Sequence, residues 1–103
     1  MTKSRFSGKR QFKKIDIDTI PNNKPIVYKI LNSRGNNIYT GSAKKGRSKG
    51  RLKEHLPTGA APIKGGRFFN FKQLDSIQNA QKEERKIIDR ENPKLNKLNN
   101  TIF

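Results

Sequence analysis

The chain has 103 residues, which is one domain's worth of polypeptide, and it contains no cysteine, so disulfides and thiolate metal sites are excluded. Its 24 Lys and Arg residues face only 8 Asp and Glu residues, and the resulting charge of +16 predicts a polyanionic partner, with nucleic acid favoured over a lipid surface. No apolar run approaches the ~20 residues that cross a bilayer, so we expect a soluble, cytoplasmic protein without a membrane partner.

The first 23 residues are predicted to form a basic arm, which could be flexible, because their cations are accompanied by few large apolar side chains. These cations are Lys3, Arg5, Lys9, Arg10, Lys13 and Lys14. The alternation in Ile15–Asp18 could add a short edge strand. Residues 24–103 are expected to form the folded domain.

Three strands are predicted after the arm. Residues 26–31 and 38–41 have β-prone composition and are separated by a segment dense in turn-forming residues, which indicates a hairpin. Residues 68–74 contain three phenylalanines and predict a third strand that contributes aromatic side chains to the core.

Two helices are predicted. The first covers residues 51–56, where Leu52 and Leu56 are four apart and Pro57 ends the helix. The second covers residues 76–91, with Asp75 or Ser76 as its N-cap and Pro93 forbidding continuation.

The second helix carries a carboxylate in an unusual place. An apolar arc of its helical wheel is formed by Ile77, Ala80, Ile87 and Ile88. Glu84 falls inside this arc and Glu83 falls outside it. A carboxylate on a core-facing stripe needs a partner or a bound cation. The alternative is a Glu at the edge of a shallow stripe that reaches water or an arginine.

Cations and the single histidine cluster before and within the first helix. Arg51 and His55 are four apart, so one helix face could present both to a phosphate, although a solvated surface pair is an alternative. The preceding loop contains Lys44, Lys45, Arg47 and Lys49. It nearly matches a nucleotide-binding phosphate loop, but Arg47 occupies the place of the essential lysine. A basic loop near DNA phosphates is the better interpretation.

Taken in order, several of these residues resemble the signature of the GIY-YIG nucleases. The matching positions are Ile26-Val27-Tyr28, Tyr39-Thr40-Gly41, Arg51, His55, Glu84 and Asn96. Their order and spacing agree over roughly residues 25–98, with Ile26 where the family has glycine and Thr40 where it has isoleucine.

The resemblance implies an α+β fold, with a small three-stranded antiparallel sheet flanked by helices, and hydrolysis of DNA phosphodiester bonds. It implies one divalent cation, Mg²⁺ or Mn²⁺, held by Glu84. Arg51 would grip the scissile phosphate, and Tyr28 would be the base that takes a proton from water, with His55 accepting or orienting its hydroxyl hydrogen. Tyr39 would position substrate or water, and Asn96 would brace the site.

A free phenol is mostly protonated at neutral pH, but Arg51, a metal ion and a basic surface would all favour the phenolate of Tyr28. Two rival functions remain at this level: a non-catalytic basic module that binds nucleic acid, and a GIY-YIG domain that binds without cutting. RNA as the substrate is left open. One site cuts one strand, so clean double-strand cleavage would imply a dimer on DNA or two sequential events.

Overall fold

A computed structural model of the protein describes residues 5–96. The elements in this part of the chain are β1 (Arg10–Gln11), α1 (Lys14–Ile17), β2 (Ile26–Leu31), β3 (Asn37–Ala43), α2 (Ser48–Glu54), β4 (Phe68–Gln73) and α3 (Ile77–Glu91). The strands form one antiparallel sheet in the order β1-β4-β2-β3. The predicted α+β class is confirmed, and the sheet has the three expected strands plus β1.

The strand β2 lies in the middle of the sheet, between β4 and β3. Five of its six residues are buried, and Lys29 is half-buried. Both faces of this strand are covered, which explains why its sequence, apart from Lys29, is apolar at consecutive positions instead of alternating. Tyr28 at its centre pairs with Gly41 on β3 and with Phe71 on β4.

The larger core lies on the face of the sheet that carries Tyr28. It joins side chains of β2 and β4 to α1 and α2, and its buried members include Ile26, Ile30, Phe69, Phe71, Ile17 and Leu52. Burial of apolar surface on this scale holds the short α1 and α2, which would not be stable helices alone.

The opposite face of the sheet lies under α3. Val27 pairs with Ser42 and Lys72, and the side chains of both partners bond to glutamates of α3, so all three point toward this helix. Val27, Ala80 and Ile87 are all fully buried. The predicted bounds of α3, residues 76–91, agree with the structure to within one residue.

Both ends of α3 are capped. The Ser76 hydroxyl accepts a hydrogen bond from the Asn79 backbone N–H at 3.1 Å. At the other end Asn92 adopts the left-handed conformation, with φ of 50°, and the buried Pro93 follows it. The chain then turns back toward the sheet, which brings Asn96 against β3.

The structure differs from the predicted arm over residues 10–22. Phe12, Ile17 and Ile20 are buried in the larger core, and β1 pairs with β4. The predicted edge strand at Ile15–Asp18 is wrong, because its first three residues lie in α1 and Asp18 is the C-cap of that helix. Residues two apart in a strand share a face, whereas Ile17 is fully buried and Ile15 is 77% exposed.

The helix α2 starts three residues earlier than predicted, and it ends at Glu54, so His55 is its C-cap instead of a residue within it. No helix in residues 5–96 is long and apolar enough to cross a membrane.

Candidate active site

Tyr28 can occupy its position only because its neighbour on β3 is a glycine. The tyrosine ring lies over Gly41, where a β-carbon would stand 2.5 Å from the hydroxyl oxygen and 2.6 Å from the carbon that bears it. Tyr28 itself is fully buried, so its ring is enclosed by protein atoms. Gly41, at the end of the Tyr39-Thr40-Gly41 segment, thus makes room for Tyr28 of the Ile26-Val27-Tyr28 segment.

The Tyr28 hydroxyl is hydrogen-bonded to His55 in a direction that can be assigned. The hydroxyl oxygen lies 2.9 Å from His55 Nε2, and His55 Nδ1 lies 2.9 Å from the backbone carbonyl of Ala61. A carbonyl oxygen only accepts, so Nδ1 carries the hydrogen and, in the neutral ring, Nε2 accepts from Tyr28. Burial lowers the pKa of His55, which keeps the imidazole neutral at neutral pH.

Tyr39 completes a cluster of three aromatic rings. Its ring centroid lies 4.9 Å from that of His55 and 6.5 Å from that of Tyr28. Unlike Tyr28, it is half-buried. The sequence therefore brings three of its predicted site residues together on the face of the sheet that α2 covers.

The protonation expected for Tyr28 is not the one that its surroundings favour. Burial is the largest influence on both tyrosines and raises the pKa of Tyr28 and of Tyr39 far enough to outweigh the lowering effect of the Arg51 cation. The charge of Glu84 raises both values further. Without a ligand, Tyr28 is a neutral phenol at neutral pH, and the expected stabilisation of the phenolate by Arg51 is too small.

Arg51 has an unpaired donor beside this cluster. Its Nε is buried and has no hydrogen-bond partner among residues 5–96. Its Nη1 lies 3.9 Å from Glu54 Oε1, and its side chain is 43% exposed. A buried donor without an acceptor is unfavourable, and an anionic oxygen would satisfy it.

An open groove of about 500 Å³ runs past Arg51. It is bordered by β3, the loop after it, α2 and α3, and its lining includes Ser42, Lys44, Arg47, Arg51 and Gln81. The groove thus combines three cations with no lining carboxylate among the described residues. This lining suits a phosphate group.

The four predicted nucleic-acid contacts are not equivalent. Lys44, Lys45 and Arg47 are exposed, whereas Lys49 is half-buried in the first turn of α2. Lys44 and Arg47 line the groove, and Lys45 and Lys49 do not belong to its described lining. Arg47 Nη2 also lies 3.6 Å from Glu54 Oε2, so Glu54 is close to two of the cations around the groove.

Glu84 differs from its neighbour in the way its position on the wheel predicts. Its Oε1 accepts a hydrogen bond of 2.6 Å from the Ser42 hydroxyl on β3. Glu83 instead bonds to the Lys72 ammonium at 3.2 Å, on the part of the sheet nearer β4. Glu84 is therefore held against the edge strand β3, on the face opposite the tyrosines, and its charge still influences both phenols.

The carboxylate to be considered as a metal ligand at this point is Glu84. Within residues 5–96, no three His, Cys, Asp or Glu side chains come together as metal ligands. Mg²⁺ is commonly held by one or two carboxylates, with water and phosphate oxygens as its remaining ligands. The donor set of Glu84 fits a cation of this kind and not zinc, which prefers nitrogen and sulfur ligands.

Asn96 bonds to the backbone of β3 and not to the aromatic cluster. Its Oδ1 accepts from the Thr40 N–H at 2.6 Å, and its Nδ2 donates to the Thr40 carbonyl at 2.8 Å. The amide thus pairs with the free edge of β3 as a neighbouring strand would. Because Thr40 lies between Tyr39 and Gly41, this contact braces the strand on which both lie.

Sequence reasoning missed two residues that hold the site. Ser42 bonds to Glu84, and Asn22 bonds to the loop and first turn of α2. Ser42 had a detectable signal, because Thr40 and Ser42 are polar residues two apart on the strand face that meets the stripe of α3. Nothing in the local pattern around Asn22 links it to a loop 24 residues away.

Similarity to known proteins is found at the level of the family. None of the curated proteins searched matches the chain significantly. The family model of the GIY-YIG catalytic domain matches residues 24–99. The match spans most of the chain and includes every residue of the aromatic cluster as well as Arg51, Glu84 and Asn96. The chain therefore belongs to the GIY-YIG nuclease family.

Proposed function

We propose that this protein is an endonuclease that hydrolyses phosphodiester bonds in DNA with the help of one divalent cation. The observation that carries the proposal is the hydrogen bond from the Tyr28 hydroxyl to a neutral His55, next to an arginine with an unpaired buried N–H. A proton acceptor and an anion-binding donor side by side are what hydrolysis of a phosphate ester requires.

The proton transfer we infer uses two groups in series. As water attacks phosphorus, the Tyr28 oxygen takes a proton from that water and passes its own proton to Nε2 of His55. The imidazole becomes imidazolium, still donating from Nδ1 to the Ala61 carbonyl. The new bond joins the water oxygen to phosphorus, the bond to the leaving oxygen breaks, and the leaving oxygen takes up a proton from solvent.

This relay agrees with the raised pKa of Tyr28, because a free phenolate never has to accumulate. The phenol loses one proton while it gains another, and the charge ends on the imidazole. Tyr39, with its ring against His55, positions the substrate or the water.

The phosphate would be held from the groove side. Arg51 can donate its unpaired Nε–H and its terminal N–H groups to a phosphate, which stabilises the additional negative charge of the transition state. Lys44 and Arg47 line the same groove and would contact neighbouring phosphates. Lys45 and Lys49 would act further along the backbone, through the summed positive field.

Glu84 would hold the cation, either Mg²⁺ or Mn²⁺, and the hydrogen bond from Ser42 leaves its other carboxylate oxygen available for this. When bound, the cation would neutralise charge on the phosphate and on the leaving oxygen. Asn96 acts through the backbone of β3, at Thr40.

The test is cleavage of supercoiled plasmid with Mg²⁺, with Mn²⁺ and with a chelator. We expect nicking that requires a divalent cation and is lost in Tyr28→Phe, a variant that keeps the ring and removes the hydroxyl. DNA binding without cleavage under any metal condition would mean a non-catalytic member of the family. A parallel assay with labelled RNA decides the substrate, and the conversion of nicked to linear plasmid decides whether both strands are cut in one encounter.

A further inference from the structure

Asn22 lies before the residues that match the family model, yet it contacts the loop that borders the proposed phosphate groove. The Asn22 side-chain Nδ2 donates to the Gly46 carbonyl at 3.0 Å, and the Asn22 backbone carbonyl accepts from the Gly46 N–H at 3.0 Å. Its Oδ1 accepts from the backbone N–H of Ser48 at 3.0 Å and, more weakly, from that of Lys49 at 3.5 Å. One side chain thus provides hydrogen-bond partners for the backbone of the loop and for the first turn of the helix that follows it.

The helix α2 depends on this outside partner for its start. The first N–H groups of a helix have no acceptor within the helix, and the Arg47 side chain at the N-cap position makes no capping hydrogen bond with the described residues. Asparagine is among the best capping residues because its side-chain oxygen accepts from these groups. Here the acceptor comes from 26 residues earlier in the chain.

The loop that precedes α2 is also stabilised by Asn22, because its exposed cations repel one another. Gly46 has a φ of +84°, a left-handed turn conformation, and the side chains of Lys44, Lys45 and Arg47 are all exposed. Like-charged side chains repel one another, so the two backbone contacts of Gly46 with Asn22 oppose a spreading of the loop.

Asn22 is suited to this role because the segment that carries it is itself fixed. Ile17 and Ile20 are buried in the core at 0% and 2% exposure. Asp18 forms an ion pair with Lys53 of α2. On the other side of Asn22, the Pro25 carbonyl accepts from the Leu74 N–H at 2.9 Å. The segment therefore forms a support anchored at both ends.

We propose that Asn22 is a positioning residue of the active site. It fixes the basic loop and the first turn of α2, and through them it places Lys44, Arg47 and Arg51 for contact with DNA phosphates. Residues 10–22 are then a working part of the catalytic unit, although they precede the family match. The DNA part of this inference rests on the proposed function, and the part on the loop and helix does not.

The test compares Asn22→Ala with Asn23→Ala, its exposed neighbour, whose side chain bonds to Gln73 instead of the loop. Amide hydrogen exchange reports the loop and helix directly. We expect Asn22→Ala to speed exchange at residues 46–51 by about fivefold to tenfold, the usual effect of removing a helix cap, and to leave β2 unchanged. Asn23→Ala should change neither region.

DNA affinity and single-turnover cleavage supply the second readout. Asn22→Ala should raise the DNA concentration needed for half-maximal cleavage by about fivefold to tenfold, at a temperature where circular dichroism shows full folding. Asn22→Asp retains the acceptor for Ser48 but loses the donor to Gly46. It should therefore restore slow exchange at residues 48–51 and leave only residues 46 and 47 exchanging faster.

Three results would overturn the proposal: unchanged exchange at residues 46–51 in Asn22→Ala, an equal change in Asn23→Ala, or faster exchange of β2 to the same degree, which would indicate general destabilisation. If Asn22→Ala does not fold, the local pattern of Asn22→Asp decides. A wild-type protein that binds DNA without cutting it would defeat the proposed function alone, because exchange and affinity would still report the role of Asn22.

Discussion

Tyr28 and Gly41 face each other across two paired strands so closely that the glycine has no space for a side chain. A methyl group there would overlap the tyrosine hydroxyl, which is the group that donates to His55. Gly41 is thus required by the position of the Tyr28 phenol, and not by a left-handed backbone.

Gly41→Ala should therefore disturb the site itself. We expect it to lower the free energy of unfolding by about 1–3 kcal/mol, the usual effect of overpacking, and to abolish cleavage because the ring must leave His55. Gly50→Ala is the matched control. A β-carbon at Gly50 meets nothing within 4 Å, and alanine favours the helix there. Urea denaturation and single-turnover cleavage measure the two effects, and a Gly41→Ala protein as stable and active as wild type would contradict this explanation.

The relay predicts an order among the aromatic variants. Folded Tyr28→Phe should be inactive, Tyr39→Phe should be milder, and His55→Ala should be intermediate because Tyr28 loses its acceptor. Arg51→Lys should also be inactive, since an ammonium group does not form the bidentate hydrogen bonds of a guanidinium with phosphate. Single-turnover cleavage across pH separates these roles, with folding checked by circular dichroism. If folded Tyr28→Phe cuts at nearly the wild-type rate while His55→Ala is dead, the imidazole is the base.

The lowered pKa of His55 predicts a loss of stability in mild acid. Because the folded state holds this proton less tightly than the unfolded chain does, the neutral ring contributes stability that is fully present above the ordinary His value of about 6.5. That contribution is lost as pH falls from there toward the lowered pKa. Cleavage by the folded protein should decline only at the acid end of this window, near the lowered pKa, because a protonated Nε2 cannot accept from Tyr28.

Urea unfolding between pH 5 and 8 measures this linkage, and His55→Gln provides the control, since its side chain does not titrate. The carboxyls of Glu91 and Asp18 also have lowered pKa values, so any stability they contribute is lost on the acid side of the ordinary carboxyl range, below this window. If wild type and His55→Gln lose stability equally between pH 6.5 and 5, the histidine is not responsible.

How far the sequence predicts the fold depends on how local each signal is. The strand at residues 26–31 and the helix after Ser76 are predictable because their apolar patterns and caps lie within the segments themselves. Residues 10–22 resemble a flexible arm because their three buried apolar side chains are widely spaced and become visible only against the sheet. The start of α2 cannot be predicted for a related reason, since its cap is Asn22, 26 residues before Ser48, and not a residue next to the helix.

The same difference between local signals and tertiary packing applies to the candidate site. The family order indicates which residues should meet, and Tyr28, Tyr39 and His55 do meet. The Arg51 cation favours a phenolate at Tyr28, whereas burial is the larger influence on the pKa of Tyr28 and acts in the opposite direction. Depth of burial follows from tertiary packing, which the local sequence pattern does not encode.

Glu84 should show its role through metal dependence. Glu84→Gln should lose cleavage in Mg²⁺ and keep DNA binding, whereas Glu83→Gln, which removes only the contact with Lys72, should cut normally. Ser42→Ala should raise the Mg²⁺ concentration needed for half-maximal cleavage, because the carboxylate loses the donor that orients it. Mn²⁺ binding, followed by the relaxation of water protons, checks the ligand without relying on activity. Equal loss of activity in Glu84→Gln and Glu83→Gln would remove the metal assignment.

The salt dependence of DNA binding can locate the cations that touch the phosphates. Removing one cation that neutralises a phosphate should flatten the slope of log K against log salt by about 0.9. Lys44→Gln should flatten it, since Lys44 lines the groove, and Lys45→Gln, at a residue that is also exposed, should do so less. Removal of residues 1–14 would delete the buried Phe12 and confuse affinity with folding. The contribution of the basic N-terminal segment is better measured with the exposed pair Lys13→Gln and Lys14→Gln. If that pair leaves the slope unchanged while Lys44→Gln flattens it, the DNA backbone follows the groove and does not reach α1.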